Sequence, residues 1–220
     1  MAIQLSLAEF GLEDRTYTLD EWQAAERRTG EKFEYHAGRL VPFHMMAGGT
    51  AEHSEISGNV IYALGAAVRE LDRDAAADER CGVHTSDLKI FVPATQRYLY
   101  PDAAVICGAP EFDEVIPSAA RSPVVVVEVL SPSSVAYDTG EKFDYYSTLD
   151  SLRDYVLISQ EGYWVETRSR GEAGGPWRFA FAKTLNGAVE LPALGLALPM
   201  RDVYRGITLA TGGGSEGVAA

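Results

Sequence analysis

Apolar residues recur along this chain with two different periods, which distinguish helices from strands. The clearest helical period lies in EHSEISGNVIYALGAAVREL, where an apolar residue returns every three or four positions. This spacing predicts a helix with one apolar stripe packed against a sheet. The stripe consists of Ile56, Val60, Leu64, Val68 and Leu71.

A second helix is predicted before it, in LDEWQAAERRT, with Thr18 or Asp20 as its N-cap and Gly30 at its end. Alternating residues after Gly30 predict a strand pair that turns at Ala37 and Gly38. The N-terminal part of the chain therefore reads as a helix followed by a hairpin.

Three further strands are predicted in CGVHTSDLKIFVP, RYLYPDAAVICG and SPVVVVEVLSP, separated by turns that contain Pro or Gly. The third is almost continuously apolar, which predicts a strand at the centre of a sheet with both faces covered. A helix start is predicted after it at Asp138, because Glu141 follows three residues later as in a capping box.

The segments RDYVLIS, GYWVETRSR and WRFAFAKTL predict additional strands. The whole order predicts a single α/β (α+β) domain over residues 1–209. Its mixed central sheet is flanked by helices, with an extra N-terminal hairpin and extra C-terminal strands. Residues 210–220 are too poor in apolar groups to order themselves, so we expect a disordered tail.

Composition narrows the functional classes. The 220 residues carry a formal net charge of −13, which argues against indiscriminate nucleic-acid binding but leaves open a local basic groove or a carboxylate site for divalent cations. No stretch approaches the length of a membrane span, so we expect a cytoplasmic protein.

Cys81 and Cys107 have no Cys or His neighbour at metal-ligand spacing, which favours two buried reduced thiols.

Two carboxylates stand where strands would normally carry hydrocarbons. Asp102 follows Pro101 at a strand entrance, and Glu128 follows four valines near a strand exit. If the two strands are antiparallel neighbours, the carboxylates converge at one end of the sheet; if they are parallel, about 15 Å separates them. Converging carboxylates repel, and Mg²⁺ relieves the repulsion. The alternative is that Asp102 caps a turn and Glu128 reaches solvent.

A longer pattern surrounds these carboxylates and resembles the PD-(D/E)XK nuclease superfamily, most closely the Uma-two family of restriction-endonuclease-like proteins. The similarity covers roughly residues 18–209. It implies a core of helix, three-stranded meander, helix and strand, with Asp102 and Glu128 as ligands of Mg²⁺ or Mn²⁺. The pattern comprises Tyr100-Pro101-Asp102, Val127-Glu128-Val129-Leu130-Ser131-Pro132-Ser133, Asp138, Lys142 and Tyr145-Tyr146.

The chain departs from the superfamily at the catalytic lysine, which normally lies two residues after the second acid; that position is Leu130. The resemblance suggests Lys142 on the following helix as its replacement, and Lys89 in a neighbouring strand is a second candidate. The alternative for Lys142 is an ion pair with Asp138 on a solvated helix face.

His53 and Glu34 are accessory candidates. His53 shares the stripe of Ile56 and so points toward the sheet, where it would contact phosphate or assist proton transfer; otherwise it is a rim histidine bonded to a carbonyl. The resemblance makes Glu34 a third carboxylate, whereas an ordinary hairpin glutamate is solvated. His36, His44 and His84 have no mutual ligand spacing, and we assign them no role.

The leading hypothesis is a Mg²⁺-dependent endonuclease that hydrolyses DNA, with Asp102, Glu128 and Lys142 as its catalytic residues. DNA is then the expected partner, and a homodimer is a further expectation. Two alternatives remain open. One is a non-catalytic interaction or regulatory protein on a nuclease fold; the other is a metal-dependent hydrolase of small molecules that uses the same carboxylates.

Overall fold

The computed structural model describes residues 6–43, 50–76, 78–171 and 174–209. His44 and the predicted tail at 210–220 lie outside the described residues. None of the helices in the described ranges has the length and apolar character needed to cross a membrane. Five α-helices lie within these ranges: α1 (Leu19–Thr29), α2 (Ala51–Leu71), α3 (Val135–Thr139), α4 (Glu141–Ser147) and α5 (Met200–Val203).

The described strands form two larger sheets and a separate hairpin. In spatial order, the five-stranded sheet contains β2 (Arg39–Pro42), β1 (Phe33–His36), β5 (Arg97–Leu99), β4 (Lys89–Val92) and β7 (Ala119–Ala120). The six-stranded sheet contains β11 (Arg178–Ala182), β10 (Val165–Ser169), β9 (Asp154–Ser159), β8 (Val125–Leu130), β6 (Ala103–Cys107) and β3 (Cys81–Thr85). The hairpin pairs β12 (Ala188–Leu191) with β13 (Leu196–Pro199).

Both larger sheets are mixed. The sequence predicted a single mixed central sheet, whereas the described strands divide between two larger sheets and a hairpin. Strand β8 runs parallel to β9 and antiparallel to β6, and β4 runs parallel to β7. All six residues of β8 are buried, because α2 covers one face of the sheet and α4 lies over the other. The prediction of a central strand covered on both faces is therefore confirmed.

Local capping defines the N-terminal helix and hairpin. The Thr18 side chain accepts from the Glu21 amide while the Glu21 side chain accepts from the Thr18 amide, which completes a capping box. Gly30 ends the helix in the left-handed region, with φ 75°. The next turn also matches the prediction, with Ala37 at φ 50° and Gly38 at φ 100°.

Helix α2 presents most of its predicted stripe to the six-stranded sheet. Thr50 caps it by accepting from the His53 amide at 3.0 Å, and Ile56 and Leu64 are fully buried. Leu71 is the exception. It is 48% exposed at the last position of the helix, so the packed surface beneath α2 ends at Val68.

Two segments predicted as single strands are each divided between the sheets. CGVHTSDLKIFVP breaks after Thr85, which accepts from the Leu88 amide in a turn, and gives β3 and β4. RYLYPDAAVICG breaks around Pro101, whose ring nitrogen has no hydrogen to donate, and gives β5 and β6. The chain therefore leaves the six-stranded sheet for two strands and returns through Pro101, next to Asp102.

The predicted helix start at Asp138 is wrong. Helix α3 begins earlier, because the Val135 amide donates to the Ser131 carbonyl at 3.0 Å and Asp138 lies buried inside the helix. The helical path is then interrupted at Gly140, where a Cβ would lie 3.0 Å from the Ala136 carbonyl oxygen. Helix α4 starts at the next residue and carries Lys142.

Cys81 and Cys107 form a disulfide, so the expectation of two reduced thiols is wrong. The cause is the pairing of β3 with β6, which makes the two cysteines register partners with Cα atoms 3.9 Å apart. The 26-residue sequence separation gave no indication of this contact.

Reduction of this disulfide is expected to lower the free energy of unfolding by about 3 kcal/mol, because the cross-link restricts the unfolded chain. Denaturant unfolding with and without dithiothreitol measures the difference. The double variant Cys81→Ala/Cys107→Ala is the control and should unfold independently of reductant. An unchanged unfolding midpoint of the wild type in dithiothreitol would contradict a stabilising role.

Candidate active site

Strands β6 and β8 bring Asp102 and Glu128 to the same end of the six-stranded sheet. Ala103 is the register partner of Val127, so the next position along places Asp102 opposite Glu128. The Val129 amide donates to Asp102 Oδ2 at 2.7 Å and holds this carboxylate against β8. The antiparallel arrangement expected from the sequence is confirmed.

Lys142 reaches this end of the sheet from α4 and is buried among carboxylates. Its Nζ lies 2.9 Å from Glu128 Oε1 and 3.6 Å from both Glu34 Oε1 and Asp138 Oδ1. It also donates to the Tyr100 carbonyl at 3.1 Å. The alternative of a solvated pair with Asp138 is wrong, because the Lys142 side chain is only 2% exposed. We call Glu34, Asp102, Glu128, Asp138 and Lys142 the carboxylate–lysine cluster.

Glu34 is fully buried on β1 and is not the solvated hairpin residue of the alternative interpretation. Its Oε1 accepts from the Tyr100 amide at 3.1 Å. Its Oε2 accepts from the Tyr137 hydroxyl at 2.7 Å and lies 3.0 Å from His36 Nε2. Glu34 therefore joins the five-stranded sheet to α3 and to the Lys142 ammonium.

His53 lies in the first turn of α2, where its Nε2 is 3.4 Å from Asp102 Oδ2. Burial alone would lower the pKa of His53, but hydrogen bonding and attraction to Asp102 raise it above its ordinary value. The predicted orientation toward the sheet is confirmed. Its partners are the Asp102 carboxylate and the Val129 backbone, so the alternative of a histidine bonded to a backbone carbonyl also holds in part.

Lys89 is not part of the cluster. Its Nζ pairs with Glu26 Oε2 of α1 at 3.2 Å and lies over the Trp22 ring. Glu26 Oε1 also accepts from the Tyr100 hydroxyl at 2.7 Å. Lys89 and Lys142 therefore contact the same connecting segment through different atoms of Tyr100.

Burial disfavours the charged form of every group in the cluster, but the net direction of the pKa shift differs between residues. It would lower the pKa of Lys142, yet attraction to Glu128, Glu34 and Asp138 raises that pKa well above its ordinary value. It would raise the pKa of Glu34, yet Lys142, His36 and Tyr137 lower it overall. Lys142 and Glu34 therefore form the ionised pair of the cluster.

The other carboxylates of the cluster shift in the opposite direction. Burial, together with repulsion from Asp138 and Asp102, raises the pKa of Glu128 well above its ordinary value despite the opposing attraction of Lys142. Burial likewise raises the pKa of Asp138 to about 6. Without a bound cation, a protonated Glu128 relieves the repulsion between these acids.

Glu128→Gln is therefore expected to melt at the same temperature as the wild type, or higher, in chelator at neutral pH. Because folding raises the pKa of Glu128, its ionised form destabilises the fold, and this cost grows as the pH rises above the unfolded-state value. Thermal melts at several pH values should show the advantage of the variant increasing with pH. A clearly lower melting temperature would identify Glu128 as a structural partner instead.

Sequence reasoning missed three residues of this region. Asp138 was interpreted as a cap, His36 was assigned no role, and Tyr137 was not considered. Period-two alternation puts His36 on the same face of β1 as Glu34 and gave a usable signal. No local signal indicated that Tyr137 would reach Glu34, because the contact joins residues 103 positions apart.

The donor chemistry of the cluster suits a hard divalent ion. In the described ranges, no group of three or more His, Cys, Asp or Glu residues is arranged as a ready metal site. However, Mg²⁺ needs only one or two protein carboxylates, with water and substrate phosphate completing its octahedron. The buried atom Asp138 Oδ1 forms no hydrogen bond within the described part of the chain, whereas Glu128 Oε1 already contacts the Lys142 ammonium at 2.9 Å. The carboxylates of Asp102 and Glu128, on adjacent strands at one end of the sheet, are the groups of the cluster that could hold such an ion.

The mixed sheets and the flanking helices define a restriction-endonuclease-like protein. Residues 18–201 match the Uma2 family, whose description is "Putative restriction endonuclease", and the chain belongs to that family.

Two proteins of Synechocystis sp. are similar over most of their length. One, "Uncharacterized protein slr1290", is 33% identical over 188 residues, which cover 86% of this chain and 91% of the relative. The other, "Uncharacterized protein sll1609", is 30% identical over 149 residues, covering 68% of this chain and 78% of the relative. Their names state no activity, so the chemistry must be argued from the cluster.

Proposed function

We propose that this protein is an endonuclease that hydrolyses DNA phosphodiester bonds with Mg²⁺ or Mn²⁺. One observation carries the proposal: Asp102 and Glu128 lie opposite each other on β6 and β8, and Lys142 Nζ lies 2.9 Å from Glu128 Oε1. Family membership supports the nuclease class. A cytoplasmic location and a homodimer stay predictions.

Asp102 and Glu128, with the Val129 carbonyl, would hold the ion. When bound, such an ion polarises a phosphoryl oxygen and lowers the pKa of the attacking water. The position of the usual lysine is Leu130, which is buried and has no charge to contribute. Lys142 approaches the same carboxylates from the neighbouring helix and takes over that role.

Lys142 acts as a cation in this mechanism. Because its pKa is raised well above the ordinary value, it is protonated at neutral pH and does not accept a proton from water. Its ammonium instead stabilises negative charge that develops on the phosphoryl group. Glu34 holds the ammonium in the cluster, and His53 lies against Asp102, where it would orient that carboxylate or donate a proton to a phosphate oxygen.

The test is a cleavage assay with purified wild-type protein on supercoiled, linear and single-stranded DNA. Cleavage is expected with Mg²⁺ or Mn²⁺ and should stop in chelator. Asp102→Ala, purified in the same way, controls for contaminating nucleases. Absence of metal-dependent cleavage from all three substrates would refute the proposal.

A non-catalytic interaction protein is the second candidate. Its specific support is that Lys142 already neutralises the carboxylates, within a chain of net charge −13. This candidate predicts no cleavage and no stabilisation by Mg²⁺, whereas the nuclease gains about 2.7 kcal/mol of unfolding free energy at a metal concentration of 100 Kd. Thermal melts with and without metal therefore separate the two functions.

The small-molecule hydrolase has less support. The clefts of 970 and 570 Å³ are lined by other residues, including Cys107 and Arg170 in the first and Asn59 and Arg205 in the second. Neither cleft contains the carboxylates of the cluster.

A further inference from the structure

One end of the five-stranded sheet carries three basic side chains on neighbouring strands. His36 on β1 has Arg39 of β2 as its register partner on one side and Arg97 of β5 on the other. Register partners project to the same face, with Cβ atoms about 4.5–5.5 Å apart. We call His36, Arg39 and Arg97 the basic row.

Aromatic rings of the two short helices pack against this row. The Tyr137 ring of α3 stacks on His36 with centroids 6.0 Å apart and an interplanar angle of 24°. The Tyr145 ring of α4 meets His36 edge-on at 6.0 Å, and the Arg97 guanidinium lies 3.8 Å from the Tyr145 centroid. The helix that supplies Lys142 therefore also fixes the direction of Arg97.

The basic row contacts the carboxylate–lysine cluster directly. His36 Nε2 lies 3.0 Å from Glu34 Oε2. Glu34 Oε1 in turn lies 3.6 Å from Lys142 Nζ. A ligand held along the row would therefore approach the cluster from the side of Glu34 and Tyr137.

The two arginines have unused binding capacity. Arg97 donates from Nη1 to the Thr95 carbonyl at 2.8 Å, but its buried Nε has no hydrogen-bond partner in the described part of the chain. Arg39 is exposed on the edge strand β2. Across the described ranges, no ion pair joins either arginine to a carboxylate.

The position of these charges is informative because the whole chain is acidic. Its net charge of −13 would repel a polyanion from most of the surface. A ligand with several negative charges would be attracted to the two guanidinium groups, and a guanidinium can bind phosphate through two parallel hydrogen bonds.

We propose that the basic row binds the sugar–phosphate backbone of a nucleic-acid strand and directs it to the carboxylate–lysine cluster. This inference rests on the proposed nuclease function and assigns its substrate-binding surface. Arg39 and Arg97 lie two strand spacings apart, about 10 Å, so they contact different phosphates of one strand. The contacts are to the backbone and add affinity without base specificity.

The test measures binding of a fluorescent DNA duplex and of the matching single strand in chelator, over a range of salt concentrations. For the duplex, Arg39→Gln/Arg97→Gln should reduce the magnitude of the slope of log affinity against log salt by about 1.8, since each lost phosphate contact accounts for about 0.9. The affinity should then fall about tenfold per arginine at 0.1 M salt. Arg178→Gln, an exposed arginine on β11 of the other sheet, is the matched control and should leave the slope unchanged.

Arg39→Gln alone keeps the test interpretable if the double variant does not fold, since Arg39 is exposed. An unchanged slope in folded Arg39→Gln and folded double variant would overturn the inference, and so would a wild type that binds neither DNA at low salt. A wild type that binds DNA through the row but never cleaves it would refute the nuclease and leave the binding surface standing. Metal-dependent cleavage together with an unchanged salt slope in the variants would support the nuclease and refute the binding surface.

Discussion

Lys142→Met is expected to lower the free energy of unfolding by about 3–5 kcal/mol, because it leaves buried carboxylate charge without its cation. The ammonium contacts Glu128, Glu34 and Asp138, and its side chain is only 2% exposed. Methionine has a similar length and fills the space. The loss of unfolding free energy is therefore due mainly to the missing charge and less to changed packing. Denaturant unfolding at neutral pH, in chelator, measures it.

The matched control is Lys32→Met, which removes a lysine paired with Asp87 at the surface. That aspartate side chain is 84% exposed, so the pair should contribute less than about 1 kcal/mol. Adding Glu34→Gln to Lys142→Met should recover part of the loss, because the uncompensated charge then disappears. A loss below about 1 kcal/mol for Lys142→Met would contradict a buried ionised pair.

The same variant predicts a pH dependence whose sign follows from Glu34. Because folding lowers the pKa of Glu34, its ionised form contributes stability above the unfolded-state value, and that contribution is lost as the pH falls through the folded-state value. Lys142→Met loses most of this contribution at neutral pH. The stability difference between wild type and variant should therefore shrink in acid.

Much of the sheet and of the site could be predicted from local pattern. The run of valines before Glu128 identified β8 as a central strand, and Pro101 indicated a strand start before Asp102. These signals left parallel and antiparallel pairing open. The antiparallel pairing that the structure shows was the one that would bring the two acids to one end of the sheet. Lys142 was identified as the missing lysine only through resemblance, since helical periodicity alone leaves its direction open.

The remaining features depend on contacts that sequence spacing does not encode. The chain crosses between the sheets at Thr85 and Pro101, and this crossing makes Cys81 a partner of Cys107. It also places Glu34, from a different sheet, beside Lys142. Long-range pairing decided these contacts, while the local turn signals indicated only that the chain would bend.

The start of helix α3 is a further feature that the local sequence pattern did not predict. A capping-box pattern at Asp138 would have left that carboxylate at a solvated helix start, but the turn at Ser131 lets the helix begin at Val135, three residues before Asp138. Asp138 is then carried into the buried cluster. Here the local turn between Ser131 and Ser134 outweighed the capping-box pattern at Asp138.

Asp102→Asn is expected to reduce metal-dependent DNA cleavage by about a thousandfold or more, equivalent to about 4 kcal/mol of transition-state stabilisation. The change keeps the shape of the side chain and one oxygen that can accept from the Val129 amide, so the strand end should stay in place. It removes the negative charge that would hold the ion opposite Glu128. The variant should show both a lower steady-state cleavage rate with Mg²⁺ and a smaller rise in melting temperature when Mg²⁺ is added.

Asp154→Asn is the matched control for this substitution. Asp154 is fully buried at the opposite end of the same sheet, beside Val125 rather than Glu128, and accepts from the Ala193 amide at 3.0 Å. It should alter stability without changing the rate per folded molecule or the stabilisation by Mg²⁺. If Asp102→Asn retained both wild-type cleavage and wild-type stabilisation by Mg²⁺, Asp102 would not be a metal ligand, and its bond to the Val129 amide would be its whole role.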